Sequence, residues 1–155
     1  LLSRPDAVSP HREFLAPSRF REVLPDPDAP APDQVTRAVF CTGKVYYDLA
    51  ACRKERNIAD TVIIRLEQIY PLAREQLTFL LAPYQKVRDF VWCQEEPSNM
   101  GAWGHLRNRL GHLFATSFRY AGRPPMACPA EGAKALHAAA QKRLLAAAFG
   151  PRAQS

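Results

Sequence analysis

The 155-residue sequence lacks long apolar runs, closely spaced cysteines and an internal repeat. No run approaches the ~20 apolar residues that a membrane-spanning helix needs, so the sequence predicts no such helix and no membrane partner. The cysteines Cys41, Cys52, Cys93 and Cys128 form no Cys-X-X-Cys motif. Their spacing argues against a disulfide framework and indicates free thiols in the cytosol. The N-terminus has neither an initiating Met nor the apolar region of a signal peptide, so we expect the chain to begin inside a longer polypeptide.

The composition is typical of one globular domain. Hydrophobic residues make up 47% and charged residues 23% of the 155 residues, which is enough to bury a core. The net charge of +6 weakly favours anionic partners. A basic group around the third predicted helix could face nucleic acid, a nucleotide or an acidic subunit; it comprises His105, Arg107, Arg109, Arg119 and Arg123. Because these residues are dispersed, we favour a solvated face and predict no nucleic-acid partner.

Proline divides the chain near residue 34. Half of the 14 prolines lie between Pro5 and Pro32. The stretch from Leu24 to Pro32 cannot form a helix or a central strand, because proline fixes φ and lacks the backbone donor. We therefore predict a linker or docking arm over residues 1–34, an α/β domain over 35–150 and a tail over 151–155.

After residue 34, apolar strand-like runs alternate with helical periodicity. The sequence predicts strands at 37–41, 61–66, 89–93 and 117–120, each followed by a helix. The run 61–66 is apolar and β-branched, as in strands that are covered on both faces. Alternation of this kind predicts a three-layer α/β/α domain with a mainly parallel sheet of about five strands, in which a short edge strand can be antiparallel.

The spacing of apolar residues also predicts the buried face of each helix. These positions are Val45, Leu49 and Cys52 in the first helix; Leu72, Leu77, Leu80 and Leu81 in the second; Trp103, Leu106, Leu110 and Leu113 in the third; and Ala133, Leu136, Ala140, Leu144 and Ala147 in the last. We expect the second helix to begin near Pro71, because proline is favoured in the first turn of a helix.

The segment 89–103, DFVWCQEEPSNMGAW, predicts a buried strand that breaks at Glu95 and Glu96, turns at Pro97 and continues as a helix near Asn99. Two adjacent acids at a strand end could serve as acid and base. Consecutive side chains of an extended chain point in opposite directions, however. We therefore favour a structural or interface role for the two acids. We assign the same role to Trp103, Arg119 and His137, so the full set is Glu95, Glu96, Trp103, Arg119 and His137.

The turn Cys41-Thr42-Gly43-Lys44 leads from the first predicted strand into a helix. Free amides at a helix N-terminus, together with a lysine, could hold an anion. The alternative is that Gly43 permits a tight turn and Lys44 is solvated, and the Walker pattern of nucleoside-triphosphate loops is absent. The candidate anion-binding residues are Thr42, Gly43 and Lys44, with Arg65 and Arg123 as weaker candidates.

No residue is assigned a catalytic or metal-binding role. Cys93 lies in an apolar run, and the sequence places no histidine beside it to make it a nucleophile. His105 and His112 lie seven positions apart, and a helix separates such residues by roughly 10 Å, too far to share one metal easily.

Five blocks together carry a family resemblance: LLSRPDAVS, CTGKVYYDL, VIIRLEQIYP, DFVWCQEEPSNMGAW and RYAGRPPMACPAEG. The chain resembles the C-terminal domain of the thiamine-diphosphate-dependent first component of 2-oxoglutarate dehydrogenase. More distantly it is similar to the C-terminal domain of transketolase-like enzymes. The resemblance implies a parent enzyme that decarboxylates 2-oxoglutarate and transfers the succinyl group to a lipoyl group. It also implies thiamine diphosphate, Mg²⁺, a homodimer and a dihydrolipoyl succinyltransferase partner.

The chain departs from that family at the cofactor. The Gly-Asp-Gly motif for diphosphate and magnesium is absent, as are the upstream domains that supply catalytic histidines, so we expect these residues alone to bind no cofactor and to be inactive. The resemblance implies an architectural and regulatory domain that contacts the upstream catalytic domains and a nucleotide or acetyl-CoA effector. We expect a bacterial cytoplasm in preference to a mitochondrial matrix. The alternative is a free-standing module that binds an anionic ligand.

Overall fold

A computed structural model describes residues 5, 7–15, 17–129 and 132–150. Within these residues the strands are β1 (Val23–Leu24), β2 (Arg37–Cys41), β3 (Thr61–Leu66), β4 (Asp89–Pro97) and β5 (Phe118–Arg123). The helices are α1 (Val45–Glu55), α2 (Arg74–Leu81), α3 (Trp103–Phe114) and α4 (Lys134–Phe149), and a short 3-10 helix spans His11–Phe14. None of these helices has the length and apolarity that crossing a membrane requires.

The described strands form one sheet in the order β1-β3-β2-β4-β5. Strand β2 lies at the centre and runs parallel to β3 and β4, and β5 runs parallel to β4. Strand β1 is antiparallel to β3 and forms one edge. The predicted mainly parallel sheet of about five strands is therefore confirmed, including a short antiparallel edge strand.

Helices cover both faces of the sheet. On one face Phe40 and Trp92 pack with Leu77 of α2 and with Leu106 and Leu110 of α3. On the other face the core comprises Val39, Ile63 and Val91 from the strands, Val45 and Leu49 from α1, and Leu144 and Ala148 from α4. Neighbours along β2 alternate between the two cores because successive strand side chains point to opposite faces. This arrangement confirms the three-layer α/β/α prediction.

The predicted helix faces hold for α1, where Val45, Leu49 and Cys52 are buried, and for the centres of α2 and α3. The predicted face of α4 is wrong in part. Its buried positions are Ala140, Leu144 and Ala148, whereas Ala133, Leu136 and Ala147 are exposed. The helix is so rich in alanine that an apolar residue occupies nearly every rotational position, and the sequence pattern therefore does not define one face.

Strand β4 extends farther than predicted. It continues through Glu95 and Glu96 to Pro97, with a shift in register between Cys93 and Pro97. The irregularity inserts residues without ending the strand, as bulges do. Helix α3 consequently begins at Trp103 instead of near Asn99, and β5 runs three residues beyond the predicted end, to Arg123. Helix α2 begins at Arg74, after the predicted start at Pro71.

The proline-rich region contains β1, which the sequence did not predict there. Val23 pairs with Leu66 of β3, and the Glu22 carbonyl accepts a hydrogen bond of 2.9 Å from the Glu67 amide. Part of the predicted arm is therefore an edge strand of the sheet, where proline is tolerated. The division at residue 34 as a boundary between units stays a prediction. The predicted tail, residues 151–155, lies outside the described residues.

Candidate functional site at the carboxyl ends of the strands

The sheet order places a topological switch point between β2 and β4. From β2 the chain crosses through α1 to β3 on one side, and from β4 it crosses through α3 to β5 on the other. Open α/β sheets bind ligands in the crevice outside the carboxyl ends of strands at such a point. Here the crevice is bordered by Thr42, Gly43 and Lys44 after β2 and by Glu95 near the end of β4.

Lys44 and Glu95 form an ion pair across this crevice, between Lys44 Nζ and Glu95 Oε1. The side chain of Lys44 is 43% exposed and that of Glu95 is 18% exposed. Gly43 has a φ of +67° with open space where a Cβ would be, so the turn itself favours glycine. The lysine that could attract an anion is thus neutralised by an acid of the same domain, and an external anion would compete with Glu95.

The two adjacent acids face different surroundings, because Glu96 is exposed while Glu95 is paired with Lys44. The Glu96 carbonyl accepts a hydrogen bond of 2.7 Å from the Tyr120 hydroxyl. Burial raises the pKa of Tyr120 to about 12, so the phenol keeps its proton at neutral pH. The two acids therefore do not face one common site, as acid–base catalysis by the pair would require.

Gln94, which sequence reasoning missed, organises the turn between β4 and α3. Its side chain is buried, and its Oε1 accepts hydrogen bonds from Trp92 Nε1 at 2.8 Å and from the Trp103 amide at 3.0 Å. Its Nε2 donates to the Met100 carbonyl at 2.8 Å. Gly101 has a φ of +65°, and a Cβ there would lie 2.8 Å from Gln94 Nε2. The amide thus satisfies one of the free N–H groups at the start of α3.

The five anion-binding candidates do not converge on one site. Arg65 pairs with Glu67 at 2.8 Å, and its guanidinium carbon lies 4.6 Å from the ring centroid of Tyr46. Arg65 and Tyr46, with Tyr47 and part of the proline-rich segment, line a cavity of about 420 Å³. Arg123 ends β5, is buried, and places Nη2 2.9 Å from His137 Nδ1. Thr42, Gly43 and Lys44 remain together at the switch point.

Arg119 lies near the opposite, amino ends of the strands. Its Nε and Nη2 donate to the two carboxylate oxygens of Asp89, at 2.8 and 2.9 Å, and Arg37 Nε donates to Asp89 Oδ2 at 2.6 Å. Burial by itself raises the pKa of Asp89. The hydrogen bonds and charges of Arg119 and Arg37 lower it by more than burial raises it, so the pKa lies below its ordinary value of 3.8. Asp89 therefore stays ionised at neutral pH.

The same two arginines hold the C-terminus of α4. Arg119 donates to the carbonyls of Ala147 and Ala148, at 2.6 and 3.3 Å, and Arg37 Nη1 donates to the Phe149 carbonyl at 2.7 Å. The last carbonyls of a helix have no partners within it, and positive charge is favourable there. Arg119 therefore has a structural role within the domain, while its assignment to an interface stays a prediction, as it does for Glu95, Glu96, Trp103 and His137.

A second buried ion pair fastens the proline-rich segment to the sheet. Arg53 Nη2 donates to Asp26 Oδ1 at 2.9 Å, and Arg53 Nη1 contacts the other oxygen. The Ile63 amide donates to Asp26 Oδ2 at 2.9 Å. The side chains are 0% exposed for Asp26 and 7% for Arg53. Sequence reasoning missed this pair, because an aspartate between prolines resembles a solvated turn residue.

Two of the cysteines, Cys41 and Cys93, are buried thiols in the sheet. Cys41 and Cys93 are paired neighbours in β2 and β4, and burial raises the pKa of both thiols above the ordinary value, which makes them poor nucleophiles. In the described ranges no three His, Cys, Asp or Glu side chains are grouped so as to hold a metal ion. The sequence also lacks Gly-Asp-Gly, and the expectation that these residues alone bind no cofactor stays a prediction.

The fold indicates the structural class of the domain. A solved structure titled "Split gene transketolase, inactive beta4 tetramer" matches with a TM-score of 0.58 at 13% sequence identity, covering 84% of this chain and 42% of that chain. At this identity the likeness shows the fold alone. The chain is thus a three-layer α/β/α domain of the kind found in transketolase-like structures, as the resemblance implied.

The sequence comparisons define the family. A family model described as 2-oxoglutarate dehydrogenase C-terminal matches residues 8–149, and the chain belongs to that family. The 2-oxoglutarate dehydrogenase E1 component of Cupriavidus necator is 44% identical over 151 residues, covering 96% of this chain and 16% of that protein. The mitochondrial 2-oxoglutarate dehydrogenase of Caenorhabditis elegans is 40% identical over 156 residues, covering 97% of this chain and 15% of that protein. The chain therefore spans less than a fifth of these relatives.

Proposed function

We propose that this chain is the structural and regulatory C-terminal domain of a 2-oxoglutarate dehydrogenase first component. The proposed parent is a thiamine-diphosphate- and Mg²⁺-dependent homodimer that decarboxylates 2-oxoglutarate and delivers the succinyl group to the dihydrolipoyl succinyltransferase component. The family match over residues 8–149 supports this proposal. The free thiols and the bacterial relatives support a bacterial cytoplasm as the location.

The observation that carries the structural role is the ion pair between Lys44 and Glu95 at the switch point. This is the position where an α/β domain would place catalytic or ligand-binding groups. Here its charged groups are paired with each other, and the nearby thiols of Cys41 and Cys93 are buried. On this proposal the domain supplies a braced surface for the catalytic part of the enzyme and no reacting group.

The experiment that tests the proposal compares three preparations. These are the 155-residue chain, the longer polypeptide that contains it, and the longer polypeptide without it. We expect 2-oxoglutarate-dependent reduction of an electron acceptor from the complete polypeptide, none from the chain alone, and restoration when the two separated parts are mixed. Turnover by the chain alone, or full turnover without it, would contradict the proposal.

For regulation, we propose that a nucleotide or acetyl-CoA places its phosphates against Thr42, Gly43 and Lys44, displacing Glu95 from the lysine. The positive end of the α1 helix dipole favours an anion there. Lys44→Ala in the complete polypeptide should weaken the response to acetyl-CoA or AMP, and Glu95→Gln should strengthen it, because the competing charge is removed. Lys54→Ala, at an exposed lysine near the other end of α1, is the control. An unchanged response in both switch-point variants would remove this site.

The alternative function, a free-standing module for an anionic ligand, is favoured by one observation. Arg65, Tyr46 and Tyr47 line the cavity of about 420 Å³ beside the proline-rich segment. Calorimetric titration of AMP or acetyl-CoA into the chain alone would support a module if binding occurs and Arg65→Gln abolishes it. Binding that requires the longer polypeptide would instead support the regulatory domain.

A further inference from the structure

An apolar groove lies between the sheet edge and α2, outside the sites described above. Its volume is about 390 Å³, and it is lined by Val23, Pro25, Glu75, Gln76, Phe79 and Leu80. Val23 is buried and forms part of the floor, and Leu80 packs against the core behind it. The groove therefore rests on the hydrophobic core of the domain, with β1 on one side and α2 on the other.

Phe79 is the most unusual residue of this groove. Helix α2 buries Leu77 and Leu81, yet Phe79 on the same helix is 79% exposed, the highest value among the large hydrophobic side chains of the described residues. An exposed phenyl ring beside Leu80, Val23 and Pro25 extends the apolar lining outward. Apolar surface that is contiguous in this way marks a docking site more often than scattered exposed residues do.

The rim of the groove is acidic, in contrast to the net charge of +6 of the whole chain. Glu75 is exposed, and Glu22 accepts a hydrogen bond of 2.9 Å from Gln76 Nε2 across one end of the groove. That hydrogen bond, with a smaller contribution from the charge of Arg19, lowers the pKa of Glu22 below its ordinary value, so Glu22 is ionised at neutral pH. Charge complementarity therefore calls for a basic residue beside the apolar group that fills the groove.

We propose that this groove binds an apolar side chain flanked by Lys or Arg on the catalytic part of the same longer polypeptide. The proposal rests on the proposed function. The matched region is 16% of the Cupriavidus necator relative, so on the proposed function most of such a polypeptide lies outside this domain and is available to contact it. The groove combines three properties that suit that contact: an exposed aromatic ring, an acidic rim and the edge strand β1, which pairs with β3 on one side.

The test measures the chemical accessibility of Phe79 in the complete polypeptide. Phe79→Cys is compared with Lys54→Cys, an exposed position on α1, and maleimide modification of each peptide is followed by mass spectrometry. Because Phe79 is exposed within the domain, its substitution leaves the fold intact. We expect modification at position 79 to be about tenfold slower than at position 54, because a covered thiol reacts only when the contact opens. The rates should become equal in urea.

The charge of the rim is tested by adding Glu75→Lys to the Phe79→Cys protein. Reversing this charge places a cation opposite the basic residue of the partner segment, and the modification rate at position 79 should rise severalfold. Arg74→Glu, an exposed residue on the same helix that does not line the groove, should leave the rate unchanged. A rise in both variants would show that charge complementarity at the rim is not responsible.

Two results would overturn the proposal. Equal native rates at positions 79 and 54 would show that the groove is open to solvent in the complete polypeptide. Protection that disappears on dilution would assign the groove to a second copy of the polypeptide. The proposed function fails separately: a complete polypeptide that does not turn over 2-oxoglutarate but protects position 79 would retain the docking groove and lose the assigned reaction.

Discussion

A single buried amide, that of Gln94, determines the geometry of the segment between β4 and α3. It joins two tryptophans through hydrogen bonds, Trp92 at 2.8 Å and the Trp103 amide at 3.0 Å, and it contacts the turn at the Met100 carbonyl. The neighbouring Glu95 and Glu96, which are charged and more conspicuous in sequence, contribute less to the buried structure. At this position, hydrogen-bonding capacity within the core is more important than charge.

Gln94→Leu should lower the free energy of unfolding of the chain by about 3 kcal/mol, because it leaves several buried donors and acceptors without partners. Urea denaturation followed by tryptophan fluorescence measures the change. Glu96→Gln, one strand position from Glu95 and exposed, should stay within about 0.5 kcal/mol of the parent. Equal losses in the two variants would show that Gln94 has no special role.

The acid dependence of stability should depend on Asp89. Its pKa is lowered in the folded domain, so its contribution is complete above the ordinary pKa of 3.8 and is lost as the pH falls through the lower folded value. Asp89→Asn should cost about 2 kcal/mol at pH 7, through hydrogen bonds from charged donors, and less at pH 2–3. Urea midpoints between pH 7 and pH 2 measure this; a cost that is constant across the range would contradict it.

At the scale of elements, the sequence predicted the structure best where the residues of a segment favour a single type of secondary structure. Strand β3 was predicted at its observed bounds because Thr61–Leu66 is apolar and β-branched. The buried face of helix α4 was predicted only in part, at Ala140 and Leu144, because its alanines present an apolar surface in every direction. Strand β1 was missed because Val23 and Leu24 precede a proline-rich run, and their pairing with β3 depends on contacts distant in sequence.

The sequence predicted where the candidate site lies, but it did not predict the ion pair between Lys44 and Glu95 within the site. The pattern of strand, glycine and lysine placed Thr42–Lys44 at a strand end, as the structure has it. That Glu95 reaches Lys44 follows from the parallel pairing of β2 and β4, which places Cys41 beside Cys93 and so brings the segments after them together. Neither local propensity nor helical periodicity contains that information.

Removing the proline-rich segment should destabilise the domain. A chain that begins at Val35 lacks β1 and Asp26, and therefore leaves Arg53 buried without its carboxylate partner, at a cost of about 3–5 kcal/mol. A chain that begins at Arg21 keeps both features and should unfold within about 1 kcal/mol of the full chain. Thermal or urea unfolding of the two truncations distinguishes them, and equal stability would show that the segment is a dispensable linker.

At the scale of the whole molecule, four of the 21 lysines and arginines are engaged inside the domain. Arg37 and Arg119 contact Asp89, Arg53 contacts Asp26, and Arg123 is buried. These four guanidinium groups are therefore not available to an open basic surface. Of the basic group that the sequence places near α3, Arg107 and Arg109 are exposed.

The chain should accordingly bind duplex DNA no more tightly than about 10 µM at physiological salt, which is within the range of non-specific binding. Fluorescence anisotropy with a labelled duplex measures this affinity. Arg107→Gln combined with Arg109→Gln should change it little. Submicromolar binding that weakens steeply with salt would contradict the prediction that nucleic acid is not a partner.

Hydrogen bonds from Arg37 and Arg119 affect local motion at the end of α4. Their acceptors are the carbonyls of Ala147, Ala148 and Phe149. A terminal helical turn normally frays independently, but here opening it would also release the arginines that secure the first residues of three strands. We expect the final turn of α4 and the β2–β4–β5 ends to open as one cooperative unit. Amide hydrogens near Ala148 should then exchange at rates close to those of the central sheet.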